Sequence, residues 1–136
     1  MLIATGVVAD TSALAAVVLG EDDAEAFAEV LASHAGDVHI GAPTLLGAGI
    51  VLQARQGEAA IADLRLLLDY VHARIEPFDR EQAALALAAW RRFGKGRHPA
   101  ALNYGDCMSY ALSKRLGLPL LYKGSDFAQT DVAAAR

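Results

Sequence analysis

Residues 7–18 read VVADTSALAAVV, a short apolar run that stops on a carboxylate, Asp10, and passes at once into a helical pattern. Val7, Val8 and Ala9 show no alternation of polar and apolar side chains, so the stretch predicts a strand buried on both faces, as inside a parallel sheet. In open sheets of that class ligands gather beyond the carboxyl ends of the strands, which makes Asp10 the first candidate for chemistry. Asp, Thr and Ser are also preferred at helix N-caps. From these twelve residues alone, a capping role for Asp10, Thr11 or Ser12 and a functional one stand side by side.

Working outward, the pattern alternates short strands with helices. Ala24, Phe27, Ala28 and Leu31 share one face of a second helix that opens on Glu21, Asp22 and Asp23. Residues 37–41 predict a strand with Val38 and Ile40 as its apolar positions. Pro43 and Thr44 open a helix that runs to about Arg55, and Gly57 separates it from another with the stripe Ile61, Leu64, Leu68 and Val71. Residues 74–77 are a candidate third strand. Phe78 to Gln82 place a staple residue, an N-cap Asp79 and a capping-box Gln82 ahead of a helix to about Phe93, on which Ala83, Leu87 and Trp90 are expected to face the core.

Beyond a glycine-containing loop, a helix is predicted from Gly105 to about Leu116. Its polar face is Asp106, Ser109, Tyr110 and Ser113, spaced i, i+3, i+4 and i+7. Asp106 falls in the first turn, where the helix dipole favours a carboxylate with or without a function. Residues 120–122 predict the last strand, and Asp126 follows it in the same kind of place that Asp10 holds after the first. The order strand, helix pair, strand, helix pair, strand, two helices, strand makes a three-layer α/β/α sandwich around a mostly parallel sheet of four to five strands the expected fold.

At 136 residues the chain is expected to form one domain, residues 1–136, with 54% hydrophobic residues and four prolines favouring a helix-rich fold. The first Lys or Arg is Arg55 and no apolar run reaches membrane-spanning length, so a cytoplasmic location is expected. Cys107 is the only cysteine, which excludes an internal disulfide and a cysteine-built metal site. Net charge is −4, unevenly spread: residues 1–90 carry thirteen acids and four bases, residues 91–136 three acids and eight bases. A basic segment holding only Asp106, Asp126 and Asp131 suits a polyanion drawn to a metal-binding centre, although an uneven solvated surface would read the same way. Arg91, Arg92, Lys95 and Arg97 crowd the end of the fifth helix and the loop after it. They are candidate contacts to a phosphate backbone, or a solvated turn.

The four histidines are scattered and neither GxxxxGK[ST] nor GxGxxG occurs, which leaves acid-only ligation. Oxygen donors without His or Cys suit Mg²⁺ or Mn²⁺, hard ions that retain waters and bind through a few carboxylates plus phosphate oxygens. Such an ion activates water and stabilises charge at a phosphodiester, which is nuclease chemistry.

Four pieces carry a resemblance: VVADTSAL, APTLLGAGIVLQAR, NYGDCMSYALSK and LPLLYKGSDFAQTDV, in this order and spacing. Together they resemble the PIN-domain ribonucleases, and specifically the VapC-type toxins of toxin–antitoxin pairs, over nearly the whole chain. DTSAL alone is weak, whereas NYGDC…YALSK followed by GSDFAQTD is specific. The resemblance implies a Mg²⁺- or Mn²⁺-dependent endoribonuclease that cuts structured RNA such as transfer or ribosomal RNA. It also implies a homodimer held inactive by a VapB-type antitoxin in a heterotetramer or larger assembly. Carried over, Asp10 matches the first metal-ligating acid, Asp106 the acid of GDC and Asp126 the acid of the GxDF turn. Asp131 is a second candidate in that last region, and Thr11 and Ser12 match the hydroxyl pair beside the first acid.

One position departs from the family pattern. Where TLLEAGIV carries a glutamate that completes the acidic cluster, this chain has Gly47. Loss of that carboxylate predicts weaker metal binding and an attenuated nuclease, through either a change that disarms a toxin or a naturally impaired member. Glycine inside a helix also costs about 1 kcal/mol relative to alanine. Two rival functions follow: a dimerising co-repressor that acts with its antitoxin on operator DNA, and a flap-type DNA nuclease, for which the chain is short.

Overall fold

The computed structural model describes residues 5–136. Four strands, β1 (Val7–Ala9), β2 (Val38–Gly41), β3 (Arg74–Glu76) and β4 (Leu120–Leu121), form one sheet in the order β3-β2-β1-β4, and every pair is parallel. Parallel neighbours need long crossovers. The helices supply them: α1 (Thr11–Val18) and α2 (Ala24–Ser33) join β1 to β2, and α3 (Ala42–Gln56) and α4 (Glu58–Tyr70) join β2 to β3. Helices α5 (Arg80–Phe93) and α6 (Tyr104–Leu116) carry the chain back across the sheet to β4, which lies on the far side of β1. A 3₁₀ turn, Phe127–Gln129, follows.

Side-chain alternation along the strands divides the interior in two. Val7, Ala9, Val38 and Ile40 point toward α1 to α4 and pack with Leu14, Phe27, Leu31 and Leu52. Val8 and Leu120 point the other way and pack with Phe93, Leu102, Tyr110, Leu112 and Phe127 under α5 and α6. The result is the expected α/β/α sandwich, with four strands among the described residues. Because the chain steps from β1 to β3 in one direction and then reverses to β4, the winding switches between β1 and β4. Clefts for ligands open at such switch points. Among the described residues no helix is long and apolar enough to cross a membrane.

Three local expectations change. Strand β2 is buried along its whole length, including His39, whose Nδ1 lies 2.9 Å from Glu76 Oε1 and whose Nε2 lies 3.0 Å from the Thr5 carbonyl oxygen. On α5 the inward residues are Gln82, Ala89 and Phe93, not Ala83, Leu87 and Trp90. The helix carries two apolar stripes about one residue apart in phase, and the stripe with the larger side chains faces outward. Asp79 does cap α5 by accepting from the Gln82 amide (2.9 Å), but the Gln82 side chain donates to the Pro77 carbonyl (2.8 Å) rather than closing a box.

Candidate functional site

Asp10 directly follows β1, and its backbone amide donates to the Leu121 carbonyl (3.0 Å), tying the end of β1 to the end of β4. It is the N-cap of α1 as well as a buried carboxylate at the switch point. The capping reading therefore holds, and the same carboxylate stands where the sheet reverses its winding. Its Oδ2 accepts from the Ser12 amide (3.0 Å) and the Ser12 hydroxyl (2.7 Å), while Oδ1 accepts from the Ser109 hydroxyl on α6. Ser12 Oγ in turn accepts from the Lys123 amide (3.0 Å), which stitches Asp10 to the loop that bears Asp126.

Asp106 sits at the third position of α6 and closes a capping box with Asn103. The Asn103 amide donates to Asp106 Oδ2 (3.0 Å) and the Asp106 amide to Asn103 Oδ1 (2.9 Å). Its carboxyl is nevertheless pushed up to about 6. Burial contributes most and the negative charges of Asp10 and Asp126 add to it, against the opposing pull of the Asn103 bond. Asp10 and Asp126, both remote from Asp106 in the chain, thus lie near enough for their charge to reach it. Asp126 is exposed, and its side chain has no hydrogen-bond partner among the described residues. The three are neighbours in charge and not a closed cage: among the described residues no three His, Cys, Asp or Glu side chains stand close enough to grip one ion together.

A second ring of hydroxyls braces this rim. Thr11 Oγ1 donates to the Thr44 carbonyl (3.2 Å), and the buried Thr44 hydroxyl lies 3.3 Å from Ser109 Oγ. The polar face expected on α6 is in fact its inward face: Ser109, Tyr110 and Ser113 are all buried, each with a partner, and Ser113 donates to the Leu118 carbonyl (2.6 Å). In the sequence Thr44 reads only as a helix-opening residue and Ser109 only as a polar position, and nothing local marks either as part of the rim. Gly47, on the next turn of α3 after Thr44, looks onto the same place. A Cβ added there would meet a single heavy atom within 4 Å, Thr11 Oγ1 at 3.4 Å, so there is room for a side chain toward the rim.

Asp131 is not brought into this group. Its carboxylate accepts from the Tyr110 hydroxyl (2.6 Å) and pairs with Arg92 and Lys114 (both 3.2 Å). Burial works against its charge, but Tyr110, Lys114 and Arg92 together hold it below the ordinary carboxylate range. Of the four basic candidates, Arg92 is spent on Asp131, whereas Arg91, Lys95 and Arg97 have no carboxylate within 4 Å among the described residues. Lys123, beside the rim in sequence, is drawn off by Glu21 (2.6 Å) and Asp23 (3.1 Å).

Residues 7–133 match the PIN domain family. The chain is 45% identical over 127 residues to a protein named ribonuclease VapC from Mycolicibacterium smegmatis, with 93% of this chain and 98% of that one covered. It is 46% identical over 127 residues to ribonuclease VapC30 of Mycobacterium tuberculosis, covering 93% and 95%. Among solved structures it resembles the sarcin-ricin-loop-cleaving toxin VapC20 of Mycobacterium tuberculosis with a TM-score of 0.77, at 18% identity, covering 94% of this chain and 97% of that one. That likeness is one of fold.

Proposed function

Since the chain belongs to the PIN-domain family and, within it, to the VapC ribonucleases, we propose that it is a Mg²⁺- or Mn²⁺-dependent endoribonuclease toxin acting on structured RNA such as transfer or ribosomal RNA. The observation that carries the reading is the bond from Ser109, one turn along α6 from Asp106, to Asp10 after β1, with the loop that bears Asp126 tied to Asp10 through Ser12. Like charges held together at the switch point of a parallel sheet are a standing arrangement for a cation.

The donor set fits a hard ion. It is all carboxylate oxygen, and Mg²⁺ binds through one or two carboxylates while keeping several waters, so an open group suits it better than a closed cage. One or two of Asp10, Asp106 and Asp126 would hold it directly, and the remainder through its waters. Bound there, such an ion supplies an activated water and offsets charge building on the phosphodiester. Ser12 and Ser109 fix the Asp10 carboxylate in one orientation: Ser12 occupies Oδ2 with two donors, and Ser109 takes one side of Oδ1, whose remaining lone pair is open to a further partner. Asp106 is ionised at neutral pH and takes back a proton near pH 6.

Gly47 leaves this group one carboxylate short of the family pattern, and the proposed activity is accordingly attenuated. The partner proposed for the toxin is a VapB-type antitoxin, with the toxin as a homodimer inside the larger complex. Incubating total RNA with the chain and with Gly47→Glu, each with Mg²⁺ and with Asp10→Asn as control, tests the reading. Cleavage by Gly47→Glu that Asp10→Asn abolishes is the expected result, and intact RNA throughout would refute it. Gly47 also favours a second reading, a co-repressor that works with its antitoxin on operator DNA and needs no metal. Normal repression by a complex whose Gly47→Glu form still cuts no RNA would establish that one.

A further inference from the structure

The outward stripe on α5 lies outside the core. With α6 it forms an apolar groove of about 450 Å³ lined by Phe78, Leu87, Trp90, Tyr104, Cys107 and Met108. Three of these are large side chains turned to solvent: Leu87 is 48% exposed, Trp90 40% and Tyr104 81%. Leaving such surface open costs free energy unless something seats on it. The groove begins in the first turn of α6, the turn that carries Asp106. Cys107 in its floor lies about 100° round the helix from Asp106, so groove and carboxylates occupy adjoining faces of one turn.

The aromatic side of the groove is held in place. Gly94 brings the backbone so close to Trp90 that an added Cβ would lie 2.6 Å from ring atom Cδ1. The Arg97 guanidinium stands 4.8 Å from the Trp90 ring centroid, anchored by a bond from its Nε to the Arg91 carbonyl (3.2 Å). The flank beside Trp90 is basic: Arg97 stands on its ring, Arg91 holds Arg97 through its carbonyl, and Lys95 follows Gly94, all three exposed and without a carboxylate within 4 Å among the described residues. Aromatic faces with adjoining cations are how proteins take unstacked bases of single-stranded RNA, the base on the ring and the phosphate on the charge.

We propose that the α5–α6 groove is a nucleobase site: an unpaired base of the RNA stacks between Trp90 and Tyr104 while Arg91, Lys95 and Arg97 hold its backbone, presenting the neighbouring phosphodiester to Asp106. The inference rests on the ribonuclease reading for its ligand and adds to it a preference for unpaired nucleotides. Charge decides between occupants. A nucleic-acid backbone brings a negative charge with every nucleotide to these cations, whereas an apolar helix brings none.

Trp90 is the only tryptophan, so its emission reports the groove directly. The test titrates the full chain, with EDTA present to stop cleavage, with a short mixed-sequence single-stranded RNA, with the same RNA as a perfect duplex, and with a matching abasic strand. Anisotropy follows binding. Single strands are expected to quench Trp90, and duplex and abasic strands to leave it unquenched even where charge alone binds them. Tyr104→Ala, at an exposed position that the fold does not need, is expected to weaken single-strand binding by about 5- to 150-fold, the range set by losing one base–aromatic stack. Single-strand binding that leaves Trp90 emission unchanged overturns the proposal, as does unaltered affinity in Tyr104→Ala. Emission that shifts with protein concentration alone and not with RNA overturns it in favour of self-association. Because nothing here requires cleavage, quenching by RNA without Mg²⁺-dependent cutting by Gly47→Glu would leave this site standing and the ribonuclease reading refuted.

Discussion

Ser109, in the middle of α6, donates its hydroxyl to Asp10 at the end of β1, across 99 residues of chain. The bond lies under the rim of the sheet, and the Thr44 hydroxyl packs behind it. A buried carboxylate that loses a donor keeps the cost of its own desolvation. Ser109→Ala is therefore expected to lower stability by about 1–3 kcal/mol. Thermal denaturation in EDTA measures it, and a melting temperature equal to that of the parent would show that the bond does not support Asp10.

The Asp106 carboxyl gives the protein a pH dependence whose sign is fixed. Its pKa is raised to about 6 by burial, with Asp10 and Asp126 adding to the effect. A folded-state value above the unfolded one means that the group favours folding most below the ordinary carboxylate pKa, and that this benefit fades as pH rises through 6. In EDTA the protein should lose stability across that window, and Asp106→Asn should remove the loss.

Metal uptake should run the opposite way. An ion needs the carboxylate, so the affinity for Mn²⁺ is expected to rise by about tenfold per pH unit up to pH 6 and to level off above it. Calorimetric titration on either side of that value checks this, and an affinity indifferent to pH there would place the ion away from Asp106.

At position 47 the space beside Thr11 Oγ1 accepts a side chain. Gly47→Glu adds a fourth negative charge, so the metal-free protein should melt lower than Gly47→Ala, which shares the relief of a mid-helix glycine. With saturating Mn²⁺ the order should reverse. Each tenfold gain in ion affinity is worth about 1.4 kcal/mol of added stability at saturation. A Mn²⁺-induced shift in melting temperature no larger than that of the parent would mean that the new carboxylate does not reach the rim.

Arg91 and Lys95 carry charge that no neighbouring acid offsets. Replacing either with alanine should weaken RNA binding for all sequences alike and reduce the slope of log affinity against log salt by about 0.7 per residue on single strands. Arg92, engaged with Asp131 (3.2 Å), should change that slope less. Equal slopes for all three variants would mean that the surface treats them as one diffuse cloud.

The parts of this fold that local pattern controls were legible in the chain. VVA is buried on both sides because it lies in the middle of the sheet, and Asp10 sits at the switch point because the end of β1 puts it there. What local pattern does not encode is which of two apolar stripes turns inward. On α5 the stripe with Leu87 and Trp90 is the more hydrophobic, yet the close approach of α6 and the sheet selects small Ala89 with Phe93. The hydroxyls were equally hidden. Ser109 and Thr44 look like ordinary polar residues, and they become part of the rim only through partners 99 and 65 residues away. Asp131, which the QTD piece suggested for the same group, is taken by Tyr110 and two cations instead.

The central proposal is that at least two of Asp10, Asp106 and Asp126 hold one divalent ion at the rim of the sheet. Anomalous scattering from crystals soaked in Mn²⁺ addresses it without relying on activity. The account predicts a manganese peak at the rim, bonded to at least two of these carboxylates and lost in Asp106→Asn. Manganese bound elsewhere, or none at the rim in crystals whose Asp106 is ionised, would contradict it.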